Sequence, residues 1–287
     1  MTLFKGGIAE AYRDTRFLPS STSRSLVSAA LSSGLDRRPI RIAADVGCGS
    51  GRFLPALARI AGVAAVFGYD LSSDMLIQAR KATAGSSGIS LVQANCAITR
   101  MLRPESLDLI MLHWVLNTTN AWYEIVGNCT AALRPGGVLL WFDERGSLYQ
   151  AIDGEPNGFW RQGCDFSRAL WDHFYKGLGP WGQGESLRIR EGLPMGAETS
   201  LNAIVNKGFK VTKLAAEKRS WSRFITIEWL VRRVLEPRAF SNLWRIPEPI
   251  YEGALKGLSD WMETYPHAAR QSIRLDYNAT PVLAIKA

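Results

Sequence analysis

An α/β fold with a central, mostly parallel sheet is the architecture this sequence predicts, and three observations carry the prediction. Strand-sized apolar runs alternate with helix-period stretches from Ile40 onward, the order that produces parallel strands joined by crossover helices. Runs such as "VLLWF" lack the alternation of a half-exposed strand, as expected for strands covered by helices on both faces. The first strand also runs directly into a glycine-rich turn, and open parallel sheets bind ligands at the carboxyl ends of their strands.

The elements follow in order. "PIRIAADVG" is a buried strand, and "GRFLPALARIAG" a helix with apolar residues at helical spacing and Gly62 as its stop. "VAAVFGYD" is a second strand. Ser72 then caps the helix "SDMLIQARKATA", whose first turn carries Asp74 where the positive end of the helix dipole favours a carboxylate. The strands "ISLVQAN" and "SLDLIMLHWVL" come next, then the helix "NAWYEIVGNCTAALR", a Pro-Gly-Gly turn at 135–137, and the strand "GVLLWFDE". Beyond Glu144 the rhythm breaks. Residues 146–200 are rich in Gly and aromatics, "NKGFKVTKLAAE" reads as another strand, a largely helical stretch spans 221–267, and "TPVLAIKA" is the last strand.

With 287 residues, the chain can bury a core in one large domain or in a standard domain with a substantial insertion. Its cysteines, Cys48, Cys96, Cys129 and Cys164, form no CxxC pair, and no basic-then-apolar leader opens the chain. A cytoplasmic protein with reduced thiols is therefore expected. No apolar run approaches the roughly 20 residues needed to cross a bilayer, so no membrane partner is expected. His113, His173 and His267 lie too far apart for a zinc site, and no metal is expected.

Between 43 and 53 the chain reads "AADVGCGSGRF". Glycine allows the turn dihedrals and the close ligand approach such a loop needs. Dinucleotide binders use Gly-x-Gly-x-x-Gly to set a pyrophosphate on a helix N-terminus. Here Gly47, Gly49 and Gly51 are evenly spaced, and Asp45 stands two residues before the first. A carboxylate there repels a pyrophosphate and favours a cation. Asp70, 19 residues past Gly51, ends the next strand, where an acidic residue accepts from two ribose hydroxyls. A cationic nucleoside ligand points to S-adenosylmethionine.

Four motifs, "DVGCGSGRF", "YDLSSDMLIQAR", "SLDLIMLHWVLN" and "ALRPGGVLLW", cover residues 40–142. In order and spacing they resemble a class I S-adenosylmethionine-dependent methyltransferase of the broad small-molecule type, the group sharing motifs with trans-aconitate and ubiquinone-pathway methyltransferases. The opening "AEAYRDTRFLPSS" resembles the family's Y-x-x-x-R-P-x-Y-P, with Phe17 in place of the proline. The tail "TIEWLVRRVLEPRAFSNL" followed by "GLSDWMETYP" resembles a helical insertion between strands six and seven of some relatives. The resemblance implies a Rossmann-like fold with a seven-stranded, mostly parallel sheet whose last strand is antiparallel. Residues 1–39 form an N-terminal helical cap, and 40–287 the methyltransferase domain with lid insertions at about 146–200 and 221–267.

Carried across position by position, the resemblance puts the methionine end of the cofactor on the loop of Asp45, Gly47, Cys48, Gly49 and Gly51, with Asp45 near its amino group. Asp70 accepts from the ribose, and Leu71 and Met75 pack on the adenine. The acidic residue usual after the third strand is missing from "QANCAI", so Asn95, or the backbone of Cys96 and Ala97, has to meet the adenine amino group. Tyr12 and Arg16 close over the cofactor. His113, at the end of the fourth strand, either removes a proton from the acceptor or packs in the cofactor shell. Glu144, beside Asp143 past the fifth strand, is the other candidate base. In-line methyl transfer needs alignment above all, and a base only for a protonated acceptor.

The expected acceptor is a small molecule methylated on O or N, an aromatic or apolar secondary metabolite. The insertion "FWRQGCDFSRALWDHFYKGLGPW" either packs as a lid core or lines a pocket for it. The formal charge of +8 is concentrated in residues 188–245, with twelve Lys and Arg against five Glu. If the acceptor is instead a small carboxylic acid, one of Arg219, Arg223, Arg232, Arg233, Arg238 or Arg245 should reach the cleft. Nucleic acid is the other alternative. The sequence shows no RNA-binding module and no Asn-Pro-Pro-Tyr-like base-methylating motif, so a nucleic-acid partner is not expected. The intact glycine loop argues against a regulator that keeps the fold without catalysis.

Overall fold

The computed structural model describes residues 6–15, 18–32, 39–98, 102–116, 119–146, 165–182, 204, 206, 208–213, 219–239, 243 and 246–287. Five parallel strands form the first half of the sheet: β1 (Ile42–Val46), β2 (Ala65–Asp70), β3 (Ile89–Gln93), β4 (Leu107–Leu112) and β5 (Leu133–Gly146). With β6 (Phe209–Lys213) and β8 (Ile273–Lys286) the order is β3-β2-β1-β4-β5-β8-β6, and β8 runs antiparallel to both its neighbours. This is the expected seven-strand arrangement. An eighth strand, β7 (Arg219–Ile225), pairs antiparallel with the first half of β8. Residues 221–225, read from the sequence as the start of a helical stretch, therefore extend the sheet instead. β8 also begins well before the predicted "TPVLAIKA".

Each face of the sheet carries its own core, because alternate residues of a strand point to opposite sides. Leu109 and Met111 of β4 join Leu140 and Phe142 of β5 under α2 (Ser20–Leu31) and α3 (Leu54–Leu57). Ile110 and Leu112 join Leu139 and Trp141 on the other face, under Ile125, Val126 and Cys129 of α5 (Trp122–Ala132). Every residue of β4 is buried, as its unbroken apolar run predicts. The helix after the glycine loop is only one turn, α3, before the chain breaks into turns.

Local chemistry sets the other helices. α4 (Ser73–Ala82) starts where the Ser72 side chain accepts from the Met75 N–H at 3.3 Å, with Asp74 in its first turn and Arg80 and Lys81 in its last, charges that complement its dipole. α1 (Gly7–Thr15) lies against α4, where Arg13 Nη1 donates to Gln78 Oε1 at 2.7 Å and the Gly6 N–H to Asp74 Oδ2 at 2.8 Å. α2 packs beside α3 and β8, and α1 packs against α4 and the segment Val231–Leu235.

Helical segments of the two insertions pack on each other. α6 (Asp165–Leu170) runs into a π-helical turn, Trp171–Tyr175, against α8 (Glu248–Thr264). Phe174 meets Tyr251 edge-on at 5.7 Å. The helices approach at Gly257, where a Cβ would lie 2.9 Å from the His173 carbonyl oxygen. Phe174 and Tyr175 are thus buried between these helical segments, while Trp171 is exposed. α7 (Ile227–Leu230), a second π-helical turn at Val231–Leu235, and α9 (Pro266–Ala269) complete the described chain. No helix among the described residues is long and apolar enough to cross a membrane.

Opposite the ligand end, Asp108 ties three strands together. It is buried, and its Oδ2 accepts from the backbone N–H groups of Arg41 and Ile42, both at 3.0 Å, while Arg134 Nη1 reaches Oδ1 at 2.8 Å. Burial works against its charge, but the Arg134 guanidinium and the two N–H groups outweigh it and hold the carboxyl below the usual range. A depressed pKa adds stability above the unfolded value, near 4, that is lost as pH falls through the native one. Asp108→Ala should cost about 3 kcal/mol in urea unfolding at pH 7, because it leaves buried donors unpaired. The deficit should shrink below about pH 4; equal deficits at pH 7 and pH 3 would show the charge to be irrelevant.

Candidate functional site

The glycine loop is held open by contacts from the next strand. Gly47 and Cys48 both donate their N–H to the Tyr69 carbonyl, at 2.8 and 2.9 Å. Asp70 takes the Gly49 N–H on Oδ2 at 2.8 Å and the Ser72 N–H on Oδ1 at 2.9 Å. One carboxylate thus fixes both the loop and the start of α4. Each oxygen keeps a further lone pair for a ligand hydroxyl. Burial raises the Asp70 pKa, and the hydrogen bonds from Ser72, Gly49 and Leu71 pull it back.

Two glycines show what the loop must accommodate. At Gly47, with φ 72°, a Cβ would lie 2.6 Å from Val115 Cγ2, so no side chain fits there. Gly49, with φ 53°, is not crowded: a Cβ would have Met75 Cε at 3.6 Å and Tyr12 Cε1 at 4.0 Å. The backbone at Gly49 therefore faces a space bounded by Tyr12 of α1, a space a side chain would fill. Met75 is buried, with its Cε bordering the same space at Gly49.

Asp45, at the end of β1, is buried, and its Oδ1 has no hydrogen-bond partner. Burial first, and the Asp70 charge second, push its carboxyl up to about 7, with Arg52 opposing. A buried acceptor with nothing to accept is costly and marks a place for a donor, best a cation. Cys48 is buried in the same loop, and burial together with the Asp45 and Asp70 charges raises its thiol pKa. It is a wall of the site and no nucleophile. Burial likewise pushes the Cys96 thiol up to about 12.

After β3, Asn95 is exposed and its Oδ1 accepts from the Ala97 N–H at 3.1 Å. Cys96 points inward, and its carbonyl accepts from Asn128 Nδ2 at 2.9 Å. Leu71 and Ile98, beyond the ends of neighbouring strands, are exposed large apolar side chains. Leu71 was expected at the site. Ile98 was not, although its place three residues past Asn95 could have suggested it.

His113 stands just past β4. Arg52 Nη2 lies 3.2 Å from its Nδ1 and 3.0 Å from its Nε2. The imidazole meets Phe53 at 5.0 Å, Trp114 at 5.9 Å and Phe142 at 6.2 Å between ring centres, and Phe53 stacks on Phe142. Trp114 has φ 57°, an uncommon conformation for a bulky residue that is found mostly where function holds it. Arg52, Trp114 and Val115 border His113 or the glycine loop, and the sequence reading named none of them among the candidate site residues. Glu144 belongs to β5 opposite Ala279, but its side chain, like that of Asp143, lies outside the described residues, as do Arg16 and Arg245. No group of His, Cys, Asp and Glu among the described residues could hold a metal ion.

The arginines of the basic third have other contacts. Arg219 Nε donates to Ser25 Oγ at 2.8 Å, and Arg223 Nη1 to the Asp14 carbonyl at 2.5 Å. Arg232 pairs with Glu228, Arg233 with Asp14 and Arg238 with Glu248.

Residues 44–141 match a family model described as a methyltransferase domain. Over 103 residues the chain is 37% identical to a trans-aconitate 2-methyltransferase of Rhodopseudomonas palustris (strain BisB18), a match covering 34% of this chain and 37% of that protein. The chain thus spans little more than a third of the length of that curated relative. The solved structure of YcgJ protein from Bacillus subtilis is 13% identical, with a TM-score of 0.51 over 91% of this chain and 97% of that one, a likeness of fold. Phosphoethanolamine N-methyltransferase 2 of Haemonchus contortus, solved with S-adenosyl-L-methionine, is 16% identical, with a TM-score of 0.49 over 97% of this chain and 56% of that one.

The unpartnered carboxylate has a measurable cost. A carboxyl whose folded pKa is raised stabilises the fold below its unfolded pKa, near 4, and loses that contribution as pH rises through about 7. Asp45→Asn should therefore be more stable than the parent chain at pH 8, by on the order of 3 kcal/mol, and similar to it near pH 4. Urea unfolding at both values tests this. An Asn variant no more stable at pH 8 would mean the carboxylate is already compensated.

Proposed function

We propose, from the premise that the chain carries a class I S-adenosylmethionine-dependent methyltransferase domain, that it transfers the cofactor's methyl group to an O or N atom of a small-molecule acceptor. The observation that carries this reading is the buried, unpartnered Asp45 oxygen at the head of a loop braced by Asp70. A pyrophosphate would be repelled by both carboxylates, whereas an ammonium group suits the first and ribose hydroxyls the second. The space over Gly49, bounded by Tyr12 and Met75, fits close approach of a ligand to backbone. Exposed Leu71 and Ile98 would be covered by a base lying between them, with the neighbouring Asn95 amide or Ala97 backbone meeting its polar edge.

When bound, the cofactor supplies a methyl group on a sulfonium, and the protein's task is alignment. His113 and Trp114, half-buried just past β4 with the buried Phe53 and Phe142 rings behind His113, favour an acceptor with a flat or apolar body. A carboxylic acid held by the basic third is less well supported, since Arg219, Arg223, Arg232, Arg233 and Arg238 all bind elsewhere in the chain. The same contacts weaken a nucleic-acid reading. A guanidinium only donates hydrogen bonds, so the imidazole of His113 accepts from Arg52, and a ring nitrogen engaged in this way is a poorer base. Glu144 is then the candidate base for an acceptor that arrives protonated.

Calorimetry should show S-adenosylmethionine binding that weakens at least tenfold in Asp70→Ala, where ribose bonds and loop bracing go together, and disappears in a folded Gly49→Val. Unchanged affinity in both would remove the loop from the site. Because Asp45 is about half protonated near pH 7, binding should release close to one proton at pH 6 and little at pH 8. Heats in buffers of different ionisation enthalpy read this, and zero release at pH 6 would detach Asp45 from the ammonium. A screen of aromatic, amine and carboxylic acceptors with methyl-labelled cofactor tests the reaction; label moving only to nucleic acid would overturn the small-molecule reading.

A further inference from the structure

We propose that Asn95 reads the base of the cofactor with a hydrogen-bond donor, which makes the site tolerant of a 6-oxo purine in place of adenine. The inference rests on the cofactor reading above and concerns the other end of that ligand. The Ala94 N–H donates to the Asp70 carbonyl at 2.9 Å, and Gln93 Nε2 to the Leu71 carbonyl at 3.2 Å. The turn that follows β3 is thereby tied beside the carboxylate assigned to the ribose. Leu71, next to Asp70, and Ile98, at the end of the turn, are both exposed. A base carried on a ribose at Asp70 has this turn as the neighbour of its polar edge.

Hydrogen bonds fix the turn. The Ile98 N–H donates to the Asn95 carbonyl at 3.0 Å, the Ala97 N–H to Asn95 Oδ1 at 3.1 Å, and buried Asn128 of α5 gives Nδ2 to the Cys96 carbonyl at 2.9 Å. A backbone N–H only donates, so the amide atom facing Ala97 is the oxygen. With that oxygen turned back onto its own turn, exposed Asn95 presents Nδ2 to a ligand. An aspartate held in the same way would present a second acceptor instead, since both branches of a carboxylate accept.

Adenine carries an amino donor at C6 beside the N1 acceptor, whereas a 6-oxo purine carries a carbonyl acceptor beside an N1 donor. An outward N–H therefore finds an acceptor on either base, at N1 of the first or at the carbonyl of the second. An outward carboxylate pairs with the amino group and faces the lone pairs of the carbonyl, a repulsive contact that separates the two. Calorimetry with S-adenosylhomocysteine and S-inosylhomocysteine tests this in the parent chain, Asn95→Asp and Asn95→Ser. The parent should bind the inosyl ligand less than about fivefold more weakly, within the worth of one neutral hydrogen bond. Asn95→Asp should hold the adenosyl ligand at least as tightly and raise the discrimination by about tenfold or more. Asn95→Ser, whose hydroxyl can still accept from Ala97 but which has no amide N–H, should weaken both ligands by a similar factor of about five.

A parent chain that binds the adenosyl ligand and rejects the inosyl one beyond that range overturns the proposal without any variant. So does an Asn95→Asp chain that melts like the parent and gains no selectivity, because the residue then does not face the base. Should that variant fail to fold, Asn95→Ser decides: unchanged affinity for both ligands overturns the proposal, and parallel weakening sustains it. A parent chain that binds neither ligand fails the cofactor reading itself, an outcome separate from the others.

Discussion

The hydrogen bond from the Gly49 N–H to the Asp70 carboxylate couples the glycine loop to the rest of the candidate site. It joins the turn after β1 to the end of β2, and the other oxygen of Asp70 takes the Ser72 N–H that starts α4. Positive φ at Gly47, Gly49 and Gly51 makes the loop one that only glycines enter easily, and without an external brace such a turn has many conformations to choose from. Asp70 supplies that brace from inside the site, so any ligand hydroxyl it accepts is presented to a loop already in place. Burial makes the arrangement expensive for two carboxylates at once, which is visible in the upward push on both Asp45 and Asp70. The cost is tolerable where a cationic ligand removes it on binding, and this links the stability of the free chain to what it binds.

Strain on the neighbouring strand is tied to the same loop. Trp114 leaves β4 with φ 57°, a conformation that costs on the order of 1–3 kcal/mol, and the following residue, Val115, occupies the place a side chain at 47 would need. The end of β4 and the head of the loop are therefore shaped to each other. Val115 covers Gly47, and His113 and Trp114 are the two residues before it in the chain. A substitution at 47 would displace Val115 as well as strain the loop, and for this reason Gly49, where a Cβ meets nothing closer than 3.6 Å, is the cleaner position for separating ligand contact from packing.

Much of this was legible in the residues. The strand order, both acidic strand ends and the three glycines depend on local chemistry, since each is a turn, a cap or an apolar run, and all stand where the sequence places them. What could not be read depends on pairs far apart in the chain. Arg52 looks like a solvated arginine in a helix start until His113, 61 residues away, is brought against it. Arg219 and Arg223 look like a basic surface until Ser25 and Asp14 reach them across 194 and 209 residues. β7 was missed for a more local reason. Its "RSWSRFI" alternates in burial as an edge strand should, but it abuts "TIEWLVRRVL", whose helical period dominates a window of that length.

The basic third acquires a different meaning from these contacts. α1 carries Tyr12 over the open side of Gly49 and is fastened on one side to α4 through Arg13 and the Gly6 N–H. On the other side it is fastened to β7 and the second π-helical turn, where Arg223 donates to the Asp14 carbonyl and Arg233 pairs with the Asp14 carboxylate at 3.5 Å. Arg223 is further fixed over the Trp229 ring at 3.9 Å. Trp221 of β7 stacks on Tyr277 of β8, which pairs with Gly146 at the end of β5. One helix thus touches both the glycine loop and the β7–β8 strand pair. Two arginines of this region, Arg223 and Arg233, hold α1 in place, so part of its positive charge is already engaged within the chain.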